Sequence, residues 1–477
     1  MEEILNLQPE RVLYYFTEIC KIPHGSGNMK KISDYCVDFA KKQGLKYIQD
    51  KDYNVIIFKD AQNTDSNKTV MIQGHLDMVC EKVADLDFDF EKAPLKLKHE
   101  GDWLSADGTS LGGDDGTAIA YALAVLEDKN IVHPNIEAIF TVDEEIGLLG
   151  AQSIDLSQTK GNILLNIDGE KEGLFTVSCA GGARVNCRYP LEYTLSEGIK
   201  YIVTIEGLKG GHSGVEIDKY RANSNILAIR LLNKLCKKYG VKLISLHGGS
   251  KDNAITSYTK IEVFVDDDIS EDIRIYENEV KNEFRIADPG LTVTVASEKC
   301  CAEAVDEKLT RKVINLLLSQ PNGVQNMELA IPGLVRTSLN MGILNTDSEK
   351  LSFSYAVRSS LRSEKATLIE KIQALMELAG GEITVTGDYS PWEYRAESPL
   401  RESVTKVYEK LYGKAPVYEA IHAGLECGVL GEKIANLDAI SFGPDIPDIH
   451  SPEERLSISS LKRVWDFIVE LLEELSY

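Results

Sequence analysis

The chain has no dense run of lysine or arginine, no uninterrupted apolar stretch long enough to cross a bilayer, and no CxxC pair among its nine cysteines. The first absence, joined to a formal net charge of -23, excludes a nucleic-acid surface. The second excludes a membrane-spanning helix. The third excludes a disulfide frame or a zinc clip and leaves reduced, mostly buried thiols outside the chemistry. Met1-Glu2-Glu3-Ile4-Leu5 also lacks a basic segment followed by an apolar core, so the expected location is the cytoplasm. What is present is an ordinary globular composition, 43% hydrophobic and 27% charged, over 477 residues. That length exceeds what one hydrophobic core serves, so two or three domains are expected. The acid excess makes divalent cations plausible guests.

The early chain has α/β texture. Residues 7–22 and 28–44 carry helical spacing, with Leu13, Phe16 and Ile19 in the first and Ile32, Cys36 and Phe39 in the second. The link between them, Pro23-His24-Gly25-Ser26-Gly27, is a turn whose histidine is expected to be solvated. Residues 54–58 and 69–74 read as strands. From Arg184 to about Tyr389 strands and helices interleave without acidic clusters, as in an inserted domain. Two segments of similar content lie inside it: residues 200–298, with a helix near 222–237, and residues 330–388, with a helix near 363–379. They predict a duplicated α+β layer. The expected division is 1–183 and 390–477 for one domain and 184–389 for the insertion. The last helix, with Leu461, Val464, Trp465, Ile468, Leu471, Leu472 and Leu475 on one face, is expected to return to the first domain.

Five short clusters carry the chemistry. Gln73-Gly74-His75-Leu76-Asp77 follows the apolar run Val70-Met71-Ile72, so a buried strand delivers His75 to its end, with Asp77 able to orient the ring. Ser110-Leu111-Gly112-Gly113-Asp114-Asp115-Gly116 precedes an apolar helix, and either aspartate could simply cap it. In Ile139-Phe140-Thr141-Val142-Asp143-Glu144-Glu145 a strand runs into three acids, which repel one another unless a metal or solvent screens them. Ile163-Leu164-Leu165-Asn166-Ile167-Asp168 is another strand ending in an acid. The fifth cluster runs from Ser441 to Glu454 and contains His450. Repetition is the signal, because α/β sheets assemble their sites at one strand edge.

Together His75, Asp114, Glu145, Asp168 and His450 offer two nitrogen and three oxygen ligands. That mixture suits zinc, cobalt or manganese at a two-metal hydrolytic centre in which one carboxylate bridges. An acid that is not a ligand must still carry a proton to the leaving amine, and Glu144 is placed for it.

The motifs GHLDMV, GGDDGTAIA, TVDEEIGLLGA, NIDGEKEG, GGHSG and GPDIPDIHSPEE resemble those of the M20 metallopeptidases, most closely the bacterial aminoacyl-histidine dipeptidase branch, carnosinase-like enzymes acting on Xaa-His. The resemblance implies a zinc-peptidase-like α/β catalytic domain, a mixed sheet flanked by helices, with an inserted α+β lid. It further implies that Asp114 bridges two divalent ions, Zn2+ first and Co2+ or Mn2+ otherwise, that His75 with Asp168 completes one site, and that Glu145 with His450 completes the other. Asp77 would orient His75 and Glu144 would be the general acid/base. His212 would steady the carbonyl oxyanion, while Asn253 and Arg358 would hold the substrate's backbone and carboxylate, and His422 would line the specificity pocket. Many relatives have a lysine soon after the bridging aspartate; Asp115-Gly116 here leaves open which aspartate bridges, and the glycine turn favours Asp114.

The expected activity is hydrolysis of unblocked dipeptides, Xaa-His and β-alanyl-histidine included, with broad specificity open to it, by a homodimer whose lid closes over the substrate. No nucleic acid or membrane partner is expected. A tripeptidase or an N-acyl amino acid deacylase is the alternative within the class, and a metal- or amino-acid-binding protein without turnover is the alternative outside it.

Overall fold

The computed structural model describes residues 4–329 and 331–477. It divides into two compact units. The first takes the chain up to Cys179, then Tyr394–Ala420 and Leu425–Tyr477; the second takes Ala180–Glu393 with Ile421–Gly424. No helix among the described residues is long and apolar enough to cross a membrane.

The first unit is built on an eight-stranded sheet in the order Lys46–Gln49, Val55–Lys59, Asn135–Thr141, Thr69–His75, Ile163–Asn166, Asp438–Ser441, Leu174–Cys179, Val417–Ile421. Its inner strands Asn135–Thr141, Thr69–His75, Ile163–Asn166 and Asp438–Ser441 are mutually parallel. Their continuous apolar runs follow from burial on both faces, which parallel strands require. The register pairs His75 with Thr141, Gln73 with Asn166, and Asn166 with Ser441. The strands Thr69–His75 and Asn135–Thr141 end level, Ile163–Asn166 and Asp438–Ser441 end two residues earlier, and the clusters that follow these strands issue from one edge.

The helix Gly113–Glu127 lies against this sheet and is buried almost all round, from Thr117 to Leu126. Alanines at 118, 120, 122 and 124 allow close packing: a Cβ added to Gly74 would sit 2.4 Å from that of Ala118. The last helix, Ile458–Leu475, packs into the same core through Leu461, Val464, Ile468, Leu471, Leu472 and Leu475. The Tyr121 hydroxyl donates to the Leu461 carbonyl at 2.8 Å, and the Tyr121 and Trp465 rings stack at 6.4 Å.

Two loops leaving neighbouring parallel strands pass in contact at Gly169 and Gly443. A Cβ on Gly443 would lie 1.9 Å from the Gly169 carbonyl oxygen, and one on Gly169 would lie 2.5 Å from the Phe442 carbonyl carbon. Overpacking of this kind costs about 1–3 kcal/mol. Gly443→Ala is therefore expected to lower the free energy of unfolding, measured by urea denaturation, by that amount; an unchanged stability would refute the close approach.

The second unit has its own core and a nine-stranded sheet. Helices Ser224–Lys238, Ser270–Glu283, Glu307–Ser319 and Arg362–Ala379 belong to it. The segments 200–298 and 330–388 contribute strands to this one sheet, joined where Lys242–Gly248 pairs with Val335–Thr346.

Candidate metal centre

His75 is the last residue of its strand and is 1% exposed. Its Nδ1 donates to the Asp77 backbone carbonyl at 2.9 Å, with an Asp77 carboxylate oxygen at 3.6 Å. That bond fixes the neutral ring's proton on Nδ1 and leaves the Nε2 lone pair facing the acids. Nε2 lies 3.0 Å from Asp114 Oδ1 and 3.9 Å from Asp168 Oδ1. On the other side His450 Nε2 lies 3.2 Å from Asp114 Oδ2 and 3.0 Å from Glu145 Oε1. The two oxygens of Asp114 thus face different imidazoles.

Asp115 makes a different contact. It is 1% exposed, and its Oδ2 accepts the backbone N–H of His75 at 3.1 Å. Gly74 is required for this approach, since a Cβ there would meet Asp115 Oδ2 at 2.5 Å. Asp77 supports the acidic loop as well as the ring. Its Oδ1 accepts the Glu144 N–H at 3.0 Å, and its Oδ2 accepts the Glu145 N–H at 3.2 Å and the Ser26 hydroxyl at 2.8 Å. The Glu144 carboxyl itself makes no hydrogen bond among the described residues.

The groups His75, Asp114, Glu145 and His75, Asp115, Asp168 each bring ligand-type atoms within 4.8 Å of one another. Their electrostatics fit a cation. Burial opposes ionisation of Asp114, yet hydrogen bonds from His450 and His75 hold its carboxyl below the usual range. The same bonds, to Asp114 and Glu145, lift His450 to about 11. Burial, reinforced by Asp115 and Asp114, pushes Asp168 well above the carboxylate range. Without a metal the histidines must supply the positive charge that holds these acids together; a divalent cation would supply it with both rings neutral.

Sequence reasoning passed over two buried acids and misjudged one histidine. Glu426 is fully buried, with Oε2 accepting from Gln73 Nε2 and, at 2.7 Å, from the Thr141 hydroxyl. Glu454 lies under the glycine turn and is 2% exposed. Glu454 closes the cluster that begins at Ser441, but neither acid is chemically distinctive without its neighbours. His24, expected in solvent, is 3% exposed, with its Nδ1 turned onto the Ile22 carbonyl.

His212, Asn253, Arg358 and His422 all lie in the second unit. His212 Nδ1 faces the Gly214 N–H at 3.2 Å and the Val215 N–H at 3.3 Å. An Arg358 Nη2 lies 3.5 Å from that Nε2, and Arg358 Nη1 donates to the Tyr389 hydroxyl at 3.2 Å. The Asn253 carbonyl accepts the Ser213 N–H at 2.9 Å. His422 Nε2 meets the Ser338 hydroxyl at 2.7 Å.

Burial, with Arg358 and His212 adding to it, pushes His422 down to about 3. An unfolded histidine titrates near 6.5, so between those values only the unfolded chain takes up the proton. The stability this group contributes is complete above the unfolded value and is lost as pH falls towards the folded one. His422→Asn is expected to remove up to about 1.4 kcal/mol per pH unit from the slope of unfolding free energy between pH 6 and 4. Chemical denaturation across that range measures it, and an unaltered slope would count against a neutral buried ring.

Parallel strands that deliver histidines and carboxylates to one edge, around a carboxylate shared by two imidazoles, define a metallohydrolase. Residues 71–474 match the model of peptidase family M20/M25/M40. The chain belongs to that family. It is 34% identical over 482 residues to the cytosol non-specific dipeptidase of Escherichia coli (strain K12), covering 100% of this chain and 99% of that protein. It superposes on the crystal structure of aminoacylhistidine dipeptidase from Vibrio alginolyticus with TM-score 0.90 and 35% identity, covering 99% of each chain. Aminopeptidase PepT from Bacillus cereus ATCC 10987, at 16% identity and TM-score 0.57 over 99% of this chain and 100% of that one, shares the fold.

Proposed function

We propose that this chain is a dinuclear metal-dependent dipeptidase of the cytoplasm that cleaves unblocked dipeptides, Xaa-His and β-alanyl-histidine among them, with broad specificity. The observation that carries this reading is the Asp114 carboxylate, one oxygen 3.0 Å from His75 Nε2 and the other 3.2 Å from His450 Nε2, with the unpaired Glu144 carboxyl beside it in sequence from Glu145. The relatives of known name support the substrate class.

In this reading Asp114 would be shared by two ions, His75 with Asp168 would hold one and Glu145 with His450 the other, and zinc is the expected metal, cobalt or manganese being compatible with the same donors. Two such ions, when bound, polarise the scissile carbonyl and acidify a water. Asp77 fixes the tautomer and direction of His75 while holding the backbone of Glu144 and Glu145. Glu144 takes the proton from the attacking water at its carboxylate and returns it to the leaving amine nitrogen. His212 steadies the developing oxyanion. The planar fork of Arg358 suits the substrate carboxylate and Asn253 its backbone, and His422 lines the specificity pocket. Assembly as a homodimer follows from the family resemblance.

The deciding experiment is turnover of a dipeptide panel, including β-alanyl-histidine and N-acylated counterparts, by enzyme reconstituted with Zn2+, Co2+ or Mn2+. Cleavage of free dipeptides and not of blocked ones is expected. Preference for the N-acylated compounds would replace the reading with a deacylase, and tight metal binding without turnover would replace it with a binding protein.

A further inference from the structure

We propose that Glu454 is a positioning residue, which fixes the backbone of Asp114 so that its two carboxylate oxygens splay toward His75 and His450. The inference rests on the metallopeptidase reading above. Glu454 Oε2 accepts the N–H groups of Leu111 at 2.7 Å and Gly112 at 3.1 Å. Its Oε1 accepts those of Gly113 at 2.8 Å and Asp114 at 3.4 Å. Four successive amides converge on one carboxylate, an anion-binding nest filled by the chain's own acid.

The glycines of the turn serve this approach. Gly112 has φ 70°, in the left-handed region, and a Cβ on Gly113 would stand 3.1 Å from Ile446 Cγ2 and 3.3 Å from Glu454 Oε1. Glycine freedom has a consequence: a turn with two adjacent glycines does not by itself fix the direction of the next side chain. The amides that open the helix Gly113–Glu127 also have no partner within the helix. Charge-assisted bonds to one buried carboxylate meet both needs. Glu454 also shares a short loop with His450, which touches the Asp114 side chain at 3.2 Å. One loop therefore grips Asp114 by its backbone and by its carboxylate.

The test uses the full-length protein, metal-free, titrated calorimetrically with Zn2+ alone and with Co2+ alone, alongside hydrogen exchange of the 111–114 amides before any metal is added. Glu454→Gln keeps the shape and one carbonyl acceptor. It is expected to melt near the wild-type temperature, to exchange those amides faster, and to bind at least one ion about 10- to 100-fold more weakly, the usual effect of removing a group behind a metal ligand. Excess Co2+ should then restore much of its turnover, a rescue that general destabilisation would not show. Wild-type affinities together with wild-type amide protection in Glu454→Gln would overturn the proposal. Should that variant not fold, Glu454→Asp keeps the charge, shortens the reach, and should show the same losses. A wild type that binds neither ion would overturn the metallopeptidase reading, and the amide exchange would still decide whether Glu454 holds the turn.

Discussion

Glu144→Gln is expected to retain two bound metal ions and to lose about 10²- to 10⁴-fold in kcat on dipeptides, the range that positioned proton transfer contributes. The glutamine preserves volume and leaves the backbone anchor to Asp77 Oδ1, at 3.0 Å, in place. Its amide cannot take a proton from water and pass it on. Glu145, one residue along, is committed to His450 at 3.0 Å and so cannot substitute. The informative comparison is metal content beside kcat and KM. An unchanged KM with a collapsed kcat identifies a group acting in the transition state. A variant that turns over at the wild-type rate would move the proton-transfer role to another acid, and Glu426 would be the first to examine.

Asp114→Ala should lose high-affinity binding of both ions and with it all measurable turnover. The expected loss exceeds the about 10- to 100-fold that accompanies changes one step removed from a metal, because one carboxylate would leave both half-sites at once. Asp115→Asn provides the contrast. Its amide oxygen can still accept the His75 N–H that Asp115 Oδ2 accepts at 3.1 Å, so metal affinity should change far less. Calorimetric titration of both apo variants with Zn2+ separates the two aspartates. If Asp115→Asn loses both ions while Asp114→Ala keeps them, the bridging assignment is reversed.

Much of the candidate site was legible because its parts are short and local. An apolar run ending in histidine or acid marks both a strand and what it delivers, and the inner strands Thr69–His75 and Ile163–Asn166 do end beside His75 and Asp168. The glycine turn before Ala118-Ile119-Ala120 likewise marked an acid at the head of a buried helix. Glu454 and Glu426 were not legible, since an acid's partner can be hundreds of residues away: Glu454 bonds to Leu111 across 343 positions and Glu426 to Thr141 across 285. His24 was misread because its burial depends on what packs over the turn, which no local pattern records.

The sequence by itself determined the element types around the centre, the candidate donors and the family, because hydrophobic periodicity and the motif residues are properties of contiguous chain. Only the tertiary structure decided that the four inner strands run parallel with their clusters at one edge, that Asp114 faces both histidines while Asp115 turns to the His75 amide, and that a carboxylate four residues beyond His450 accepts the amides of the turn. Each of these depends on strand register or on a hydrogen bond between distant segments, and such pairings become definite only when the core between them has closed.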